Sequence, residues 1–132
     1  MRALPIVLVF LAAQALAQGQ DATDAERRAV GDIVDCMVAG LPENWRIAEM
    51  QVNLEKPMDQ TGAVRYLMSR ADDAPPAEPF EPCDLKRPAR TLIDLRSSLP
   101  PSQRAWIGAE VRVLRDGRFG IRYGYPKPKP KP

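Results

Sequence analysis

The chain has 132 residues, of which 45% are hydrophobic, with 19 basic and 17 acidic side chains. That length suits a single domain with a modest core. Three of the basic residues lie in the last six positions, so the body is nearly neutral, which is not typical of a nucleic-acid-binding protein. Histidine is absent, which excludes Ser-His-Asp and Cys-His catalysis and removes the commonest general base.

The first 17 residues have the pattern of a secretory signal peptide. Arg2 supplies a positive charge, residues 3–13 are almost wholly apolar, and Ala15-Leu16-Ala17 is the small-x-small pattern that signal peptidase cleaves. The apolar run is about half the length of roughly 20 residues that a membrane-spanning helix needs. We therefore predict cleavage after Ala17, a periplasmic or secreted product, and no integral membrane span.

The first predicted element after this segment is a helix. Thr23 and Glu26 have capping-box spacing, and apolar residues then recur at helical spacing as far as Gly40. Two runs with alternating apolar and polar residues follow, over 45–55 and 63–70. Alternation with period two is typical of half-buried strands, so these runs predict a hairpin.

Cysteine occurs twice, as Cys36 in the first helix and as Cys83. In an exported chain an isolated pair favours one disulfide. Two free buried thiols remain the alternative. A metal site is disfavoured, because two distant cysteines without histidine make an incomplete ligand set. We predict no metal and no cofactor.

Residues 71–83 contain four prolines, which exclude a helix and a central strand. They predict a long acidic loop. Prolines lower the entropy cost of ordering such a loop on a partner, and acidic side chains accelerate association with a basic cleft. A solvated connector is the alternative reading. The loop's four carboxylates and its aromatic residue form the predicted partner-binding site: Asp72, Asp73, Glu78, Phe80 and Glu81.

A second helix is predicted to begin at Asp84 or Arg87, with Pro88 in its first turn, and to end before Pro100-Pro101. Two more strands, over 107–113 and 119–125, are predicted to follow.

An Asp116-Gly117 turn joins these two strands. Trp45 and Trp106 each start a predicted strand, and we expect both to pack in the core or at a sheet edge, with a role as interface anchors as the alternative.

The predicted elements follow the order αββαββ. This order predicts an α+β domain over residues 18–126, with a four-stranded antiparallel sheet and both helices packed on one face. The alternating Lys-Pro sequence of residues 127–132 predicts a solvated, polyproline-type tail.

The C-terminal half carries four motifs that resemble the YezG-like family of small bacterial immunity proteins. They are Leu92-Ile93-Asp94-Leu95-Arg96, Trp106, Arg115-Asp116-Gly117-Arg118-Phe119 and Tyr123-Gly124-Tyr125. The resemblance spans residues 26–126. It implies an α+β fold and an antitoxin that binds and blocks a cognate toxin, with no catalytic residues to carry over. Familiar members are cytoplasmic, whereas this chain has an export signal, so we expect a toxin that acts in the cell envelope, such as a cell-wall hydrolase.

The sequence thus predicts a non-enzymatic periplasmic immunity protein that binds a toxin, without indicating an oligomeric state. One alternative is an envelope structural or assembly factor that binds peptidoglycan or a resident protein. Its working surfaces would be the Lys-Pro tail and the arginine-rich outer face of the sheet. Another alternative is an enzyme that uses paired carboxylates. The outer-face arginines are Arg65, Arg112, Arg118 and Arg122.

Overall fold

A computed structural model describes residues 6–10 and 23–127. Within these residues the chain forms an α+β domain with two α-helices and one antiparallel sheet. The helices are α1 (Asp24–Ala39) and α2 (Arg87–Asp94), and 3₁₀ turns cover Leu95–Ser98 and Pro101–Gln103. The strands are β1 (Ile6–Phe10), β2 (Ile47–Asn53), β3 (Ala63–Ser69), β4 (Glu78–Pro79), β5 (Gly108–Leu114) and β6 (Phe119–Gly124), arranged in the order β1-β6-β5-β2-β3-β4.

The predicted α+β class is confirmed, but the four-stranded sheet and the αββαββ order are wrong in detail. β4 adds a strand between the first hairpin and α2, and β1 adds one at the opposite edge. Alternation cannot reveal β4, because it is two residues long and contains Pro79. Proline is tolerated there because β4 lies at the edge of the sheet and pairs only with β3.

Both predicted terminal segments lie mostly outside the described residues. Of the predicted signal peptide, residues 1–17, the structure describes only the backbone strand Ile6–Phe10. The expected cleavage site after Ala17 lies outside the described residues. The same holds for residues 128–132 of the Lys-Pro tail.

One face of the sheet carries the hydrophobic core. Ala48, Met50 and Val52 of β2 are buried there, and Trp106, two residues before β5, is fully buried in the core. Burial of this kind contributes about 25 cal/mol for each Å² of apolar surface removed from water. Both helices and the turn that follows α2 supply the other side of this core, through Val30, Ile33, Met37, Leu92, Ile93, Leu95 and Leu99.

The C-terminal end of α1 is joined to the end of the acidic loop. The predicted disulfide between Cys36 and Cys83 is present, and the Cys83 N–H donates to the Cys36 carbonyl at 2.8 Å. At the helix C-cap, a Cβ on Gly40 would lie 1.7 Å from the Glu81 carbonyl oxygen. Only glycine therefore allows the loop to pass this close to the helix end.

The N-terminal end of α1 is anchored by a cap and by a buried polar contact. Thr23 Oγ1 accepts from the Glu26 N–H at 3.0 Å, which confirms the predicted cap. Glu26 is only 3% exposed, and its carboxylate accepts a 2.8 Å hydrogen bond from the Tyr123 hydroxyl of β6. Burial raises the pKa of the Tyr123 hydroxyl well above its ordinary value, and the Glu26 charge raises it further. This contact fixes α1 against the sheet.

Removal of the disulfide tests how much it stabilises the fold. The double substitution Cys36→Ser, Cys83→Ser should lower the free energy of unfolding by about 4 kcal/mol, because the unfolded chain regains the entropy of an open loop. Urea unfolding measures the change. Reductant should lower the wild-type midpoint to that of the double variant and leave the variant itself unchanged. Equal midpoints for all samples would contradict the predicted contribution.

Tyr123→Phe tests the buried hydrogen bond. Loss of the hydroxyl leaves a buried carboxylate oxygen without this donor, so the free energy of unfolding should fall by about 1–3 kcal/mol. Tyr125→Phe is the matched control, since its hydroxyl donates to the Gln103 carbonyl at an exposed position. Thermal and urea unfolding of both variants give the comparison. Equal losses would show that burial of Glu26 adds nothing to the strength of the contact.

Candidate partner-binding surface

A charged groove lies at the end of the sheet where β2 begins and β5 ends. Ile47 and Leu114 are direct register partners there, on the face opposite the core, and they form an aliphatic floor. The depression has a volume of about 280 Å³. Its lining, which defines the charged groove, consists of Arg46, Ile47, Asp72, Leu114, Arg115, Asp116 and Arg118.

One wall of the charged groove is a bidentate ion pair. Arg46 Nε and Nη2 donate to the two carboxylate oxygens of Asp72, both at 2.9 Å. This hydrogen bonding lowers the pKa of Asp72 and raises the pKa of Arg46. A fork-to-fork pair fixes the orientation of both side chains, which a single contact does not. The first residues of the acidic loop are thereby attached to the start of β2.

A second wall is the turn between β5 and β6, which contributes Asp116 and Arg118 to the lining. Asp116 accepts from the Arg118 N–H at 3.0 Å and from Arg118 Nε at 2.9 Å. The backbone hydrogen bond is the main cause of a lowered pKa at Asp116, and the positive charge of Arg46 lowers this pKa as well. The two walls therefore interact electrostatically across the groove.

Arg115 is held against the body of the domain. Its guanidinium donates to the Glu43 carbonyl, and to the Trp45 carbonyl at 3.2 Å. It also lies 5.5 Å from the centroid of the Trp45 ring, within the range of a cation–π contact. Trp45 is buried, so the arginine rests on a fixed surface.

The charged groove combines three arginines and two carboxylates around an apolar floor. Such a surface suits recognition of a protein partner, since arginines bind carboxylates and backbone carbonyls with defined geometry. Within residues 6–10 and 23–127, no group of three or more Cys, Asp or Glu side chains could hold a metal ion. No helix in those ranges is both long enough and apolar enough to cross a membrane.

The predicted loop residues do not form one cluster. Only Asp72 lines the charged groove. Glu78 lies in β4 and is paired with Arg70 through hydrogen bonds of 2.8 and 3.0 Å. The side chains of Asp73 and Glu81 are exposed and make no hydrogen bond or ion pair within residues 23–127.

Phe80 contributes to packing more than to an exposed surface. Its ring meets Tyr66 edge to face at 5.9 Å between centroids, and its N–H donates to the Tyr66 carbonyl. It is partly buried against the core. The aromatic residue that the sequence suggests as a partner contact therefore helps to hold the loop on β3.

The arginine-rich outer face of the sheet is largely neutralised by its own carboxylates. Arg112 binds Glu49, which is only 4% exposed, and Arg122 binds Glu110 at 2.6 Å. Arg65 is exposed and forms no ion pair within the described part of the chain. This face offers less uncompensated positive charge to an acidic partner than its arginine content suggests.

The comparisons with known proteins do not assign the chain to a family. No model of a protein family matches the chain, and no curated protein is found to be similar to it.

Several residues of the motifs that resemble the YezG-like family stabilise the fold. The Arg96 guanidinium lies 5.8 Å from the centroid of the buried Trp106 ring, and Tyr123 binds Glu26. The resemblance remains a prediction.

Substitution of Arg46 tests the electrostatics of the charged groove. In Arg46→Gln the pKa of Asp72 should rise toward its ordinary value, because the charged donor is lost. A carboxyl whose pKa is lowered on folding stabilises the fold above its unfolded-state pKa and loses that contribution as the pH falls. Carboxyl ¹³C NMR titration gives the pKa directly. Arg65→Gln is the control and should leave Asp72 unchanged; an unshifted Asp72 in Arg46→Gln would contradict the pairing.

Proposed function

We propose that the exported and processed chain is a periplasmic immunity protein, which binds a cognate envelope-acting bacterial toxin, such as a cell-wall hydrolase, and inhibits it. The observation that carries this proposal is the charged groove. Its arginines and carboxylates are held by one another or by the backbone before any partner arrives. A partner would therefore meet side chains that have already lost much of their freedom, which reduces the entropy cost of binding.

Two features support the compartment in this proposal. The first 17 residues have the charge, length and cleavage pattern of a signal peptide. The Cys36–Cys83 disulfide is compatible with an oxidising compartment. A toxin that acts in the envelope is the target that an immunity protein in that compartment can reach.

The paired charges of the groove are consistent with a surface that recognises a partner. Asp72 and Asp116 both have lowered pKa values because arginine side chains or backbone N–H groups bind them. A carboxyl group stabilised as the anion is a poor general acid near neutral pH. The same paired charges are suited to complement an oppositely patterned surface and to exclude mismatched partners.

Inhibition of the enzyme encoded beside this chain in its genome tests the proposal. The periplasmic chain should form a stable one-to-one complex with that enzyme and abolish its activity on isolated cell wall. Cells that lack the chain should be harmed when the enzyme reaches their envelope. Absence of inhibition, together with sedimentation of the chain on isolated cell wall, would instead favour the envelope structural or assembly factor.

Charge reversal separates the groove from the rest of the surface. Arg118→Glu should weaken the complex at least about tenfold, equivalent to about 1.4 kcal/mol, because it inverts a charge on the groove wall. Arg65→Glu inverts an exposed charge on β3, outside the groove, and should change the dissociation constant by less than about twofold. Calorimetric titration of both variants measures the difference. Equal affinities for the two would remove the groove from the proposed interface.

A further inference from the structure

Among the described residues, β6 is separated from the edge of the sheet only by β1, a segment that export is expected to remove. β1 pairs with β6 along its whole length, from Ile6 opposite Gly124 to Phe10 opposite Gly120. These five residues belong to the predicted signal peptide. Cleavage after Ala17 would leave β6 at the edge of the sheet.

The hydrogen-bonding pattern between β5 and β6 shows which backbone N–H and C=O groups of β6 would be exposed at that edge. The Leu114 N–H donates to the Arg118 carbonyl at 2.8 Å, which fixes the pair Leu114–Arg118 as a hydrogen-bonded one. Hydrogen-bonded pairs alternate along an antiparallel ladder, so Gly120, Arg122 and Gly124 direct their backbone groups toward β5. The backbone N–H and C=O groups of the residues between them, including Ile121, point toward β1.

β6 contains neither proline nor lysine, two residues that hinder an edge strand from pairing with a further strand. The opposite edge strand, β4, is two residues long and contains Pro79, features that prevent further strand pairing. β6 has six residues, and its one charged side chain, Arg122, is already bound to Glu110. An edge of this length with a row of unpaired backbone groups is a template for another strand.

The register indicates which side chains such a strand should carry. β1 has the sequence IVLVF, wholly apolar and rich in β-branched residues. It places Ile6 and Phe10 opposite Gly124 and Gly120, where β6 offers no side chain. A strand added in this register would meet no β6 side chain at either of these two positions.

We propose that β6 of the processed chain binds an extended apolar segment of a partner protein, as an added antiparallel strand in the position that Ile6–Phe10 occupies. This goes beyond the immunity function and does not require the partner to be a toxin. A second copy is a poorer occupant. Its own β6 would bring two glycines in place of large apolar residues, and a symmetric pair centred on Arg122 would set two arginines opposite each other.

A synthetic peptide with the sequence IVLVF, flanked by two lysines at each end, is the probe. It is titrated into the chain purified from the periplasm, after mass spectrometry has established the N-terminus. The peptide should bind saturably at one site, and the amides of Ile121 and Tyr123 should gain protection from hydrogen exchange. The amides of Gly120 and Arg122 already face β5 and should change little.

N-methylated peptides provide the matched control. The register, together with the alternation of hydrogen-bonded pairs, directs the N–H groups of the peptide residues equivalent to Val7 and Val9 toward β6. The N–H group of the residue equivalent to Leu8 points away from β6. Methylation at the first two positions should weaken binding at least about tenfold, and methylation at the third should leave it within about twofold. Equal affinities would reveal non-specific adhesion and overturn the proposal. It would also be overturned by absence of binding, by a processed chain that retains Ile6–Phe10, or by a dimer in which the Ile121 amide is already protected.

Discussion

The register of β2 determines where the surface features of this protein meet. β2 is the central strand, paired along its length with β3 on one side and β5 on the other. Its first residue, Ile47, lies between Ser69 and Leu114. The start of the acidic loop and the β5–β6 turn, far apart in sequence, consequently flank one end of the strand. A shift of one residue would exchange the two faces of β2, so the buried Met50 and the charged groove depend on the same pairing.

The two faces of the sheet are stabilised in different ways. The helix-covered face is apolar, and a buried carboxylate on this side, Glu26 of α1, is bound by Tyr123. The outer face carries cross-strand pairs of arginine and carboxylate, such as Arg112–Glu49 and Arg122–Glu110. These pairs leave little free charge on the flat face. The charged groove at the sheet end, with its aliphatic floor, is a better candidate for a partner surface.

Local signals predict much of the fold, and long-range pairing explains what they miss. The Thr23 cap, the β2–β3 hairpin and the Asp116-Gly117 turn follow from local sequence patterns, and each is confirmed by the structure. Gly117, for example, adopts the positive φ that its turn requires. By contrast, Arg46 and Asp72 are 26 residues apart, and nothing in their local sequence indicates that they pair. Composition groups the loop residues from Asp72 to Glu81 into one binding cluster, because it cannot show that Phe80 packs against Tyr66.

Hydrogen exchange on the complex tests the central proposal, that the charged groove is the surface that binds an envelope toxin. The processed chain is compared alone and with the secreted enzyme encoded by the adjacent gene. We predict slower exchange at the start of β2, near Asp72, and in the β5–β6 turn around Asp116, with little change on α1. Protection confined to other surfaces, or no protection at any of these sites, would contradict it.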